Sequence, residues 1–195
     1  MAQTKAQDWG TYHISSNLKE YEVARPNHFT FIAENMGDLI RSDFALENPS
    51  DEDLIKNGQE ILKLSVTKAS IPHFSINPIE IRRGNSVIKM AGNPTFDAGS
   101  LEVQDFVGLD TKSVIMAWQA RAYDVINDRG GRMVNYKRNC TLVEYTPDFE
   151  EIRHWELIGC WISDITEDEF DKSADGERKI SCTIQYDRAI MHMPD

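Results

Sequence analysis

The sequence predicts a mainly β fold of the α+β class, a β-barrel or sandwich of about seven or eight strands with one long packed helix. Three observations support this. Short segments rich in β-branched and aromatic residues recur along the chain, several of them alternate apolar with polar residues, and one segment has a sustained helical period. The domain is predicted at 28–195, behind an N-terminal arm at 1–27.

The arm leads into the first predicted strand. It is polar, and Pro26 pushes the residue before it toward extended conformations. Residues 28–33 (HFTFIA) are aromatic and β-branched, which predicts a strand. The acidic segment 36–57 follows and is predicted to be mainly a loop, with a short helix at 50–56.

Two β segments are predicted next. Between residues 59 and 71 apolar side chains fall on alternate positions, which predicts a strand with one buried face formed by Leu62, Leu64 and Val66. Residues 79–83 and 87–91 flank Gly84-Asn85, a tight-turn pair, so a hairpin is predicted there. This hairpin is basic.

A strand and the long helix follow. Residues 101–106 alternate and predict a strand. Residues 111–127 predict the helix, which Gly130-Gly131 would end. Its apolar stripe comprises Val114, Ile115, Trp118, Ala122, Val125 and Ile126.

Three late strands complete the domain, at 136–145, 153–162 and 179–187. The middle strand differs from the others, because strict alternation gives it large apolar side chains on both faces. Such a strand needs cover on both sides, and a small domain with one helix supplies little. We therefore expect a second subunit to bury part of this surface.

The charge of the chain restricts its function. The 195 residues carry a net charge of −11, with −6 in residues 34–60, −10 in 144–177 and +5 in the remainder. This argues against binding nucleic acid through its phosphates, which needs a basic face. The two acidic windows are either solvated loops or a surface whose field repels a polyanion or pairs with a basic patch.

Localisation signals are missing from the sequence. No apolar run approaches the roughly 20 residues of a membrane span. The N-terminus lacks the apolar stretch of a signal peptide. We expect a soluble protein made in a cytoplasm, without a membrane partner.

Residues suited to catalysis or metal binding form no recognisable set. Cys140, Cys160 and Cys182 lie about twenty residues apart without a CxxC or a histidine pair, so buried free thiols are predicted. The segment 129–132 (RGGR) is interpreted as a turn after the helix rather than a phosphate loop. Acidic pairs occur in hydrophilic loops, where nothing raises a carboxyl pKa for acid–base work. We predict no enzymatic activity, no cofactor and no metal.

The order of several landmarks resembles the tail tube proteins of contractile-tailed bacteriophages. The resemblance covers roughly residues 24–190, leaving the first 23 residues and the acidic segment 36–57 outside the family pattern. In chain order the landmarks are ARPNHF at 24–29, IKMAGNPTFD at 88–97, a helix centred on Trp118, YKR at 136–138, WELIGCWISD at 155–164 and ISCTIQYDRA at 180–189.

This resemblance implies a structural virion protein of the phage tail, assembled in the host cytoplasm. Homohexameric rings would stack into a tube with a continuous inner β-barrel, surrounded by tail sheath protein. Baseplate, tail-terminator and tape-measure proteins are the further expected partners. DNA would pass through the lumen without specific binding. The inner tubes of type VI secretion systems and phage-tail-like bacteriocins have similar folds.

Three groups of residues are expected to matter in such a tube. Basic residues of the predicted hairpin would contact the next ring, namely Arg82, Arg83 and Lys89. Acids that would face the lumen and repel DNA are Glu144, Glu150, Glu151, Asp164, Glu167 and Asp168. Aromatic residues for packing or interfaces are Trp118, Trp155 and Trp161.

Alternative functions remain open at the level of sequence. The closest is the inner tube of a phage-derived secretion or bacteriocin particle. A monomeric β-sandwich binding module belongs to a different class, and a small hydrolase using loop carboxylates to a third. Ring or tube formation separates the first class from the other two.

Overall fold

The computed structural model describes residues 22–36, 51–106, 111–170 and 176–193, with only the backbone described at 51–57. The predicted acidic loop lies largely outside these residues, as does most of the predicted arm. The strands are β1 (Phe29–Ala33), β2 (Val66–Ala69), β3 (Phe74–Arg83), β4 (Ser86–Phe96), β5 (Gly99–Gln104), β6 (Tyr123–Asp124), β7 (Arg129–Gly130), β8 (Arg138–Tyr145), β9 (Glu151–Glu167), β10 (Lys179–Gln185) and β11 (Arg188–His192). The helices are α1 (Asp51–Ser65), α2 (Thr111–Ala122) and α3 (Met133–Tyr136).

Seven antiparallel strands form the main sheet, in the order β1-β8-β9-β10-β5-β2, with β11 also paired to β9. The first part of β9 lies between β8 and β11, and its last part pairs with β10. Strands β3 and β4 form a separate hairpin, and β6 and β7 a very short one. The predicted mainly β, α+β class is confirmed.

The core lies between the sheet and the helices α1 and α2. Trp118 of α2 is completely buried, and its indole Nε1 donates to the Tyr136 carbonyl oxygen at 2.9 Å. The C-terminal end of α1 meets the first residue of α2, where the Ser65 and Thr111 hydroxyls hydrogen-bond at 3.0 Å. This pairing satisfies two buried polar groups that would otherwise cost free energy.

A bulge in β9 overturns the prediction that this strand is apolar on both faces. Trp155 and Leu157 face the core before Gly159, and Cys160 and Ile162 face it afterwards. Leu157 and Cys160 are three residues apart rather than two or four, because Gly159, with a φ of 72°, shifts the alternation of the strand by one residue. The core residues of β9 therefore lie on one face of the strand. The prediction that a second subunit is needed to cover a second apolar face of β9 is wrong.

Residues 59–65 form the end of α1 rather than the predicted strand. Their buried positions continue a helical series, Gly58, Ile61, Leu62 and Ser65. Leu64, predicted to share the buried face of Leu62, is 70% exposed. The run Gln59–Ser65 contains good helix formers and a single β-branched residue, which favours the helix.

Helix α2 ends five residues earlier than predicted. The Asp124 carboxylate accepts hydrogen bonds from the backbone N–H groups of Ile126 and Asn127, at 3.0 and 3.3 Å. A side chain that binds nearby backbone groups competes with the helix. The chain turns into β6 and β7 instead, and Val125 and Ile126, predicted to lie in the helix stripe, are 82% and 93% exposed.

The remaining predicted strands are confirmed with adjusted ends. The hairpin is longer than predicted, β8 begins after the short helix α3, and β9 extends to Glu167. β11 was not predicted. Within the described residues, no helix has the length and apolar character needed to cross a bilayer.

Candidate functional site

The β3–β4 hairpin is the main candidate for a functional surface. Its strands of 10 and 11 residues pair with each other and with no other described strand. Most of its side chains are exposed. A two-stranded ribbon is marginally stable in water by itself, so this hairpin needs a surface to pack against.

The outer half of the hairpin has one apolar face and one charged face. Residues directly opposite each other in an antiparallel pair share a face. Ile79 opposes Met90 and Ile81 opposes Ile88, which gives an apolar face of four side chains that are 41–55% exposed. We call these four residues the hairpin apolar face.

The other face carries part of the predicted basic set. Lys89 opposes Glu80 and their charged groups lie 3.6 Å apart, while Arg82 opposes Val87. Arg83 lies at the tip, opposite Ser86, on the side of the hairpin apolar face. The structure thus brings Arg82 and Lys89 to one face and separates Arg83 from them.

Aromatic side chains hold the base of the hairpin to the body. The rings of Phe74 and Phe96 have centroids 5.6 Å apart, and Phe96 meets Tyr186 edge-on at 6.2 Å. His73 Nε2 and Asp97 Oδ2 are 3.3 Å apart beside them. Burial raises the pKa of the Tyr186 hydroxyl.

The inner half of the hairpin bends at a close backbone contact. The register shifts between Ile76 and Pro78, and a Cβ added to Gly92 would overlap the Asn77 carbonyl oxygen. Only glycine permits this approach. The bend therefore fixes the direction in which the hairpin leaves the sheet.

The six predicted lumen acids do not form one cluster. Glu144 pairs with Arg153 at 2.7 Å, and Glu151 is engaged by His154. Glu167 contacts Lys112 at 2.7 Å and also Arg178, and the hydrogen bond from Lys112 is the main cause of its lowered pKa. The other three acids, each exposed, are Glu150 in the β8–β9 turn, Asp164 on β9 and Asp168 just after it.

Asp164 belongs to a polar sheet face. Directly across β10 and β5 from it lie Thr183 and Ser100. The neighbouring row contains Thr166, Ser181 and Glu102, and the Glu102 carboxylate lies 2.9 Å from the Lys179 ammonium. We define the polar sheet face by six residues: Asp164, Thr183, Ser100, Thr166, Ser181 and Glu102. Lys179 is not counted in it. The face carries four hydroxyls and two carboxylates, and one of the carboxylates is paired.

The three predicted aromatic residues have different environments. Trp118 and Trp155 are buried in the core of the isolated chain, whereas a residue at an interface between subunits would be exposed in it. Trp161 is half-buried on the opposite side of β9 and meets Tyr136 edge-on, with ring centroids 5.8 Å apart. Of the three, Trp161 is the one that lies outside the core.

Three strands of the main sheet each have one side that is not hydrogen-bonded to another described strand. In the described part of the chain, β1 pairs with β8 only, β2 with β5 only and β11 with β9 only. Unpaired N–H and C=O groups on such strands readily bind another strand. Sequence reasoning missed β11, because its five residues follow Asp187 without a turn pair or clear alternation.

The described residues contain no group of three or more His, Cys, Asp or Glu side chains arranged to hold a metal ion. The three cysteines are buried and free. Burial raises the pKa of Cys182 to about 12 and that of Cys140 well above its ordinary value, which makes both thiols unreactive near neutral pH.

Comparison with known proteins identifies the family. Residues 52–189 match the model of the family described as "T4-like virus tail tube protein gp19". The tail tube protein gp19 of Enterobacteria phage T4 is 24% identical over 137 residues, which cover 69% of this chain and 83% of that protein.

Solved structures with the same fold come from contractile injection systems. One is a PVC sheath-tube complex in the extended state, with a TM-score of 0.63, 16% identity, and coverage of 92% of this chain and 97% of the other. A second is the PVC sheath/tube terminator, with a TM-score of 0.59, 18% identity, and coverage of 89% and 99%. The baseplate of the anti-feeding prophage contains a third, with a TM-score of 0.59, 11% identity, and coverage of 88% and 97%.

The family match extends from α1 to β11 and includes the complete β3–β4 hairpin. The resemblance inferred from the landmarks is therefore confirmed. The chain belongs to the T4-like tail tube protein family, the structural tube proteins of contractile phage and phage-like tails.

Proposed function

We propose that this protein forms hexameric rings that stack into the inner tube of a contractile tail. The observation that carries the proposal is the β3–β4 hairpin of a tail tube family member, which projects from the sheet with an uncovered apolar face. Burying one large aliphatic side chain stabilises an interface by about 1.5–3 kcal/mol. Four such residues repeated in every copy favour a self-assembling contact.

The open strands β1, β2 and β11 supply a second kind of contact. Joining the sheet of one copy to that of the next satisfies unpaired backbone groups on both. Such a contact is heterologous, and it closes into a ring when the rotation between copies divides a full turn. We propose that these edges form the ring and that the hairpins connect successive rings.

The basic residues of the hairpin are proposed to orient that connection. Arg82, Arg83 and Lys89 would meet acids of the next ring, as the basic hairpin in an acidic chain suggests. Exposed ion pairs contribute little to affinity and more to association rate and register. The hairpin apolar face would therefore provide most of the stacking free energy.

The polar sheet face is proposed to line the lumen. Its hydroxyls and carboxylates offer phosphates few cations, namely Lys179, which is paired with Glu102, and Lys68 across from it, so DNA would slide past without being held tightly. The expected cargo is phage DNA, preceded by a tape-measure protein, with sheath, baseplate and terminator proteins as partners. A second candidate is the tube of a phage-like injection system, favoured by the likeness to the PVC tube complex.

Electron microscopy of the purified protein tests the assembly. Wild type is expected to form rings or tubes at high concentration, whereas a monomer at every salt and protein concentration would refute the tube proposal. Ile81→Asp with Ile88→Asp should raise the critical concentration for assembly at least about a hundredfold, because the contact between copies loses two isoleucines that it would bury. Ile126→Asp, on the other hairpin and 93% exposed, is the matched control and should assemble normally.

Charge reversal tests the contribution of the basic residues of the hairpin. Arg82→Glu with Arg83→Glu should slow assembly in low salt and have little effect in high salt, where ion pairs are screened. Unchanged assembly kinetics in low salt would show that these charges do not orient ring stacking.

DNA retention tests the lumen. Wild-type tubes assembled with short duplex DNA should release it at physiological salt. Asp164→Lys with Thr166→Lys should retain it, since each new cation adds a phosphate contact. Equal release by both kinds of tube would place the lumen on another surface.

A further inference from the structure

An apolar cavity lies in the seam between β1 and β2. Both strands belong to the main sheet, at opposite ends of its strand order, and neither pairs with the other. β1 runs toward α1 and β2 runs away from it, so the strands separate where β1 begins and β2 ends. The cavity there has a volume of about 240 Å³.

The cavity is lined largely by apolar residues but also by the charged residues Arg25, Lys68 and Glu144. Its lining includes Phe29, Ala69, Ile71, Leu142 and Trp155. Ile71 is 63% exposed although it lies against this wall. Contact between water and an apolar cavity wall is unfavourable, so an apolar side chain that displaced water from this wall would bind there.

An unsatisfied polar atom marks the same place. His28 lines the cavity, and its Nδ1 is buried without a hydrogen-bond partner in the described structure. An unpaired buried polar atom costs about 1–3 kcal/mol. A backbone or hydroxyl group entering the seam would satisfy it.

The chain outside the described residues begins beside this cavity. Arg25 and Pro26 line it, and the His28 N–H donates to the Arg25 carbonyl at 3.2 Å, closing a turn. Residues 22–24 then lead away from β1 without pairing to it, and Val23 is 77% exposed. Twenty-one further residues precede them, enough for about 70 Å of extended chain.

The sequence of this segment suits the cavity. Tyr12, Ile14 and Leu18 fall on residues of one parity, alternating with His13, Asn17 and other polar residues. In an extended chain these apolar side chains would share one face. Residues 12–18 carry no Lys, Arg, Asp or Glu, so their burial strands no fixed charge.

We propose that residues 12–18 of one copy insert into the β1–β2 seam of a neighbouring copy. The inserted chain places Tyr12 and Ile14 in the cavity and offers a hydrogen bond to His28 Nδ1. The inference rests on the proposed tube, because exchange of arms between copies requires neighbours. It adds a contact between subunits that is separate from the hairpin and lies between the open sides of β1 and β2.

Disulfide trapping tests the exchange. One variant carries Ile14→Cys and a second carries Ala69→Cys; the native cysteines are buried and stay out of the reaction. Mixed before assembly and mildly oxidised, the two variants should give a covalent dimer on a non-reducing gel. Neither variant alone should give it, nor should Ile14→Cys mixed with Ala98→Cys, a matched alanine that is exposed and outside the cavity.

The outcomes separate this inference from the proposed function. Tubes by electron microscopy with no covalent dimer would overturn the arm exchange and leave the tube intact. A chain carrying both Ile14→Cys and Ala69→Cys that cross-links only within itself would show that each copy fills its own cavity, and also overturn the exchange. No tubes from wild type would refute the proposed function.

Deleting residues 1–21 provides a second measurement. The deleted chain should keep the urea midpoint of the monomer and raise the critical concentration for assembly about tenfold, the loss expected for one or two apolar side chains. A peptide spanning residues 11–21, which contains no tryptophan, should bind the deleted chain and quench or shift its tryptophan fluorescence. Unchanged assembly together with no peptide binding would overturn the exchange.

Discussion

Gly159 determines which side chains of β9 reach the core. Its φ of 72° is accessible to glycine at low cost, and a Cβ there would overlap the Asp187 carboxylate. That carboxylate accepts hydrogen bonds from Lys137 Nζ at 2.7 Å, so moving it aside disturbs this ion pair. One residue thereby sets the inward and outward sides of β9 between Leu157 and Ile162, and a second register shift between Ile162 and Asp164 sets them beyond it.

Gly159→Ala should therefore destabilise the monomer. The left-handed backbone alone costs about 1–3 kcal/mol for a residue with a side chain, and the overlap with Asp187 adds to it. The urea midpoint should fall, whereas Gly176→Ala, with open space around its Cβ, should leave it unchanged. Equal midpoints for the two variants would contradict this account of the bulge.

The buried thiols give a prediction about pH. Cys182 ionises in the folded chain only near pH 12, because burial raises its pKa from 9.0. The folded state thus favours the neutral thiol, and its stabilisation is complete below pH 9 and is lost as the pH rises toward 12.

At pH 8 the native protein should consume almost no thiol reagent, and the urea-unfolded protein should consume three equivalents. Absorbance of the released reagent measures both. Rapid reaction of one native thiol would mean that a cysteine described as buried is reached by local opening.

At the scale of elements, regular alternation predicts most strands but fails at residues 59–65, which alternate and yet form the end of α1, and also where a single residue interrupts it. The β3–β4 turn, β1, β5, β8 and β10 follow from turn pairs and period-two patterns. β9 was located but its faces were misassigned, since a glycine inside a strand marks a bulge that strict alternation ignores. The end of α2 depended on the Asp124 side chain, whose competition with the helix is local and not periodic.

The surfaces were less predictable than the elements. The basic residues of the hairpin were visible in the sequence, but the apolar face depends on the register that pairs Ile79 with Met90 and Ile81 with Ile88. The lumen acids could not be selected by charge, because ion pairs with distant residues such as Arg153 and Lys112 already engage part of the set. Partners far apart along the chain leave no local pattern.

The hairpin should be separable from the body by mutation. Gly92→Ala forces a Cβ against the Asn77 carbonyl and should disrupt the inner half of the hairpin. Because β3 and β4 pair only with each other among the described strands, the urea midpoint of the body should change little. Assembly should fall by about tenfold or more, as a misdirected apolar face loses about 1.4 kcal/mol or more of contact.

Asn93→Ala, the exposed neighbour, is the control and should assemble as wild type does. Sedimentation measures assembly, and urea unfolding measures the body. A large loss of monomer stability in Gly92→Ala would show that the hairpin stabilises the sheet and is not an independent element.

At the scale of the whole molecule, the net charge of −11 sets the conditions for assembly. Copies repel one another at low ionic strength, where the Debye length is about 30 Å at 0.01 M and falls to about 3 Å at 1 M. Contacts through the hairpin apolar face are not weakened by this screening.

Tube formation should therefore increase as salt rises from about 0.01 to about 1 M. Pelleting of tubes at fixed protein concentration measures the trend, with Arg82→Glu plus Arg83→Glu as the comparison. Tubes that dissolve at high salt would show that ion pairs, and not the hairpin apolar face, hold the rings together.

The path of β9 gives the subunit a stiff direction. Its 17 residues pass through both parts of the sheet, flanked by β8 and β11 and then by β10. Tension along β9 loads the hydrogen bonds of these pairs in shear, all at once, because they lie across the strand. A force that peels β11 from the edge breaks its bonds one after another. A subunit built this way carries load along β9 and fails first at its rim, so the alignment of β9 with the tube axis would determine how much thrust the tube withstands.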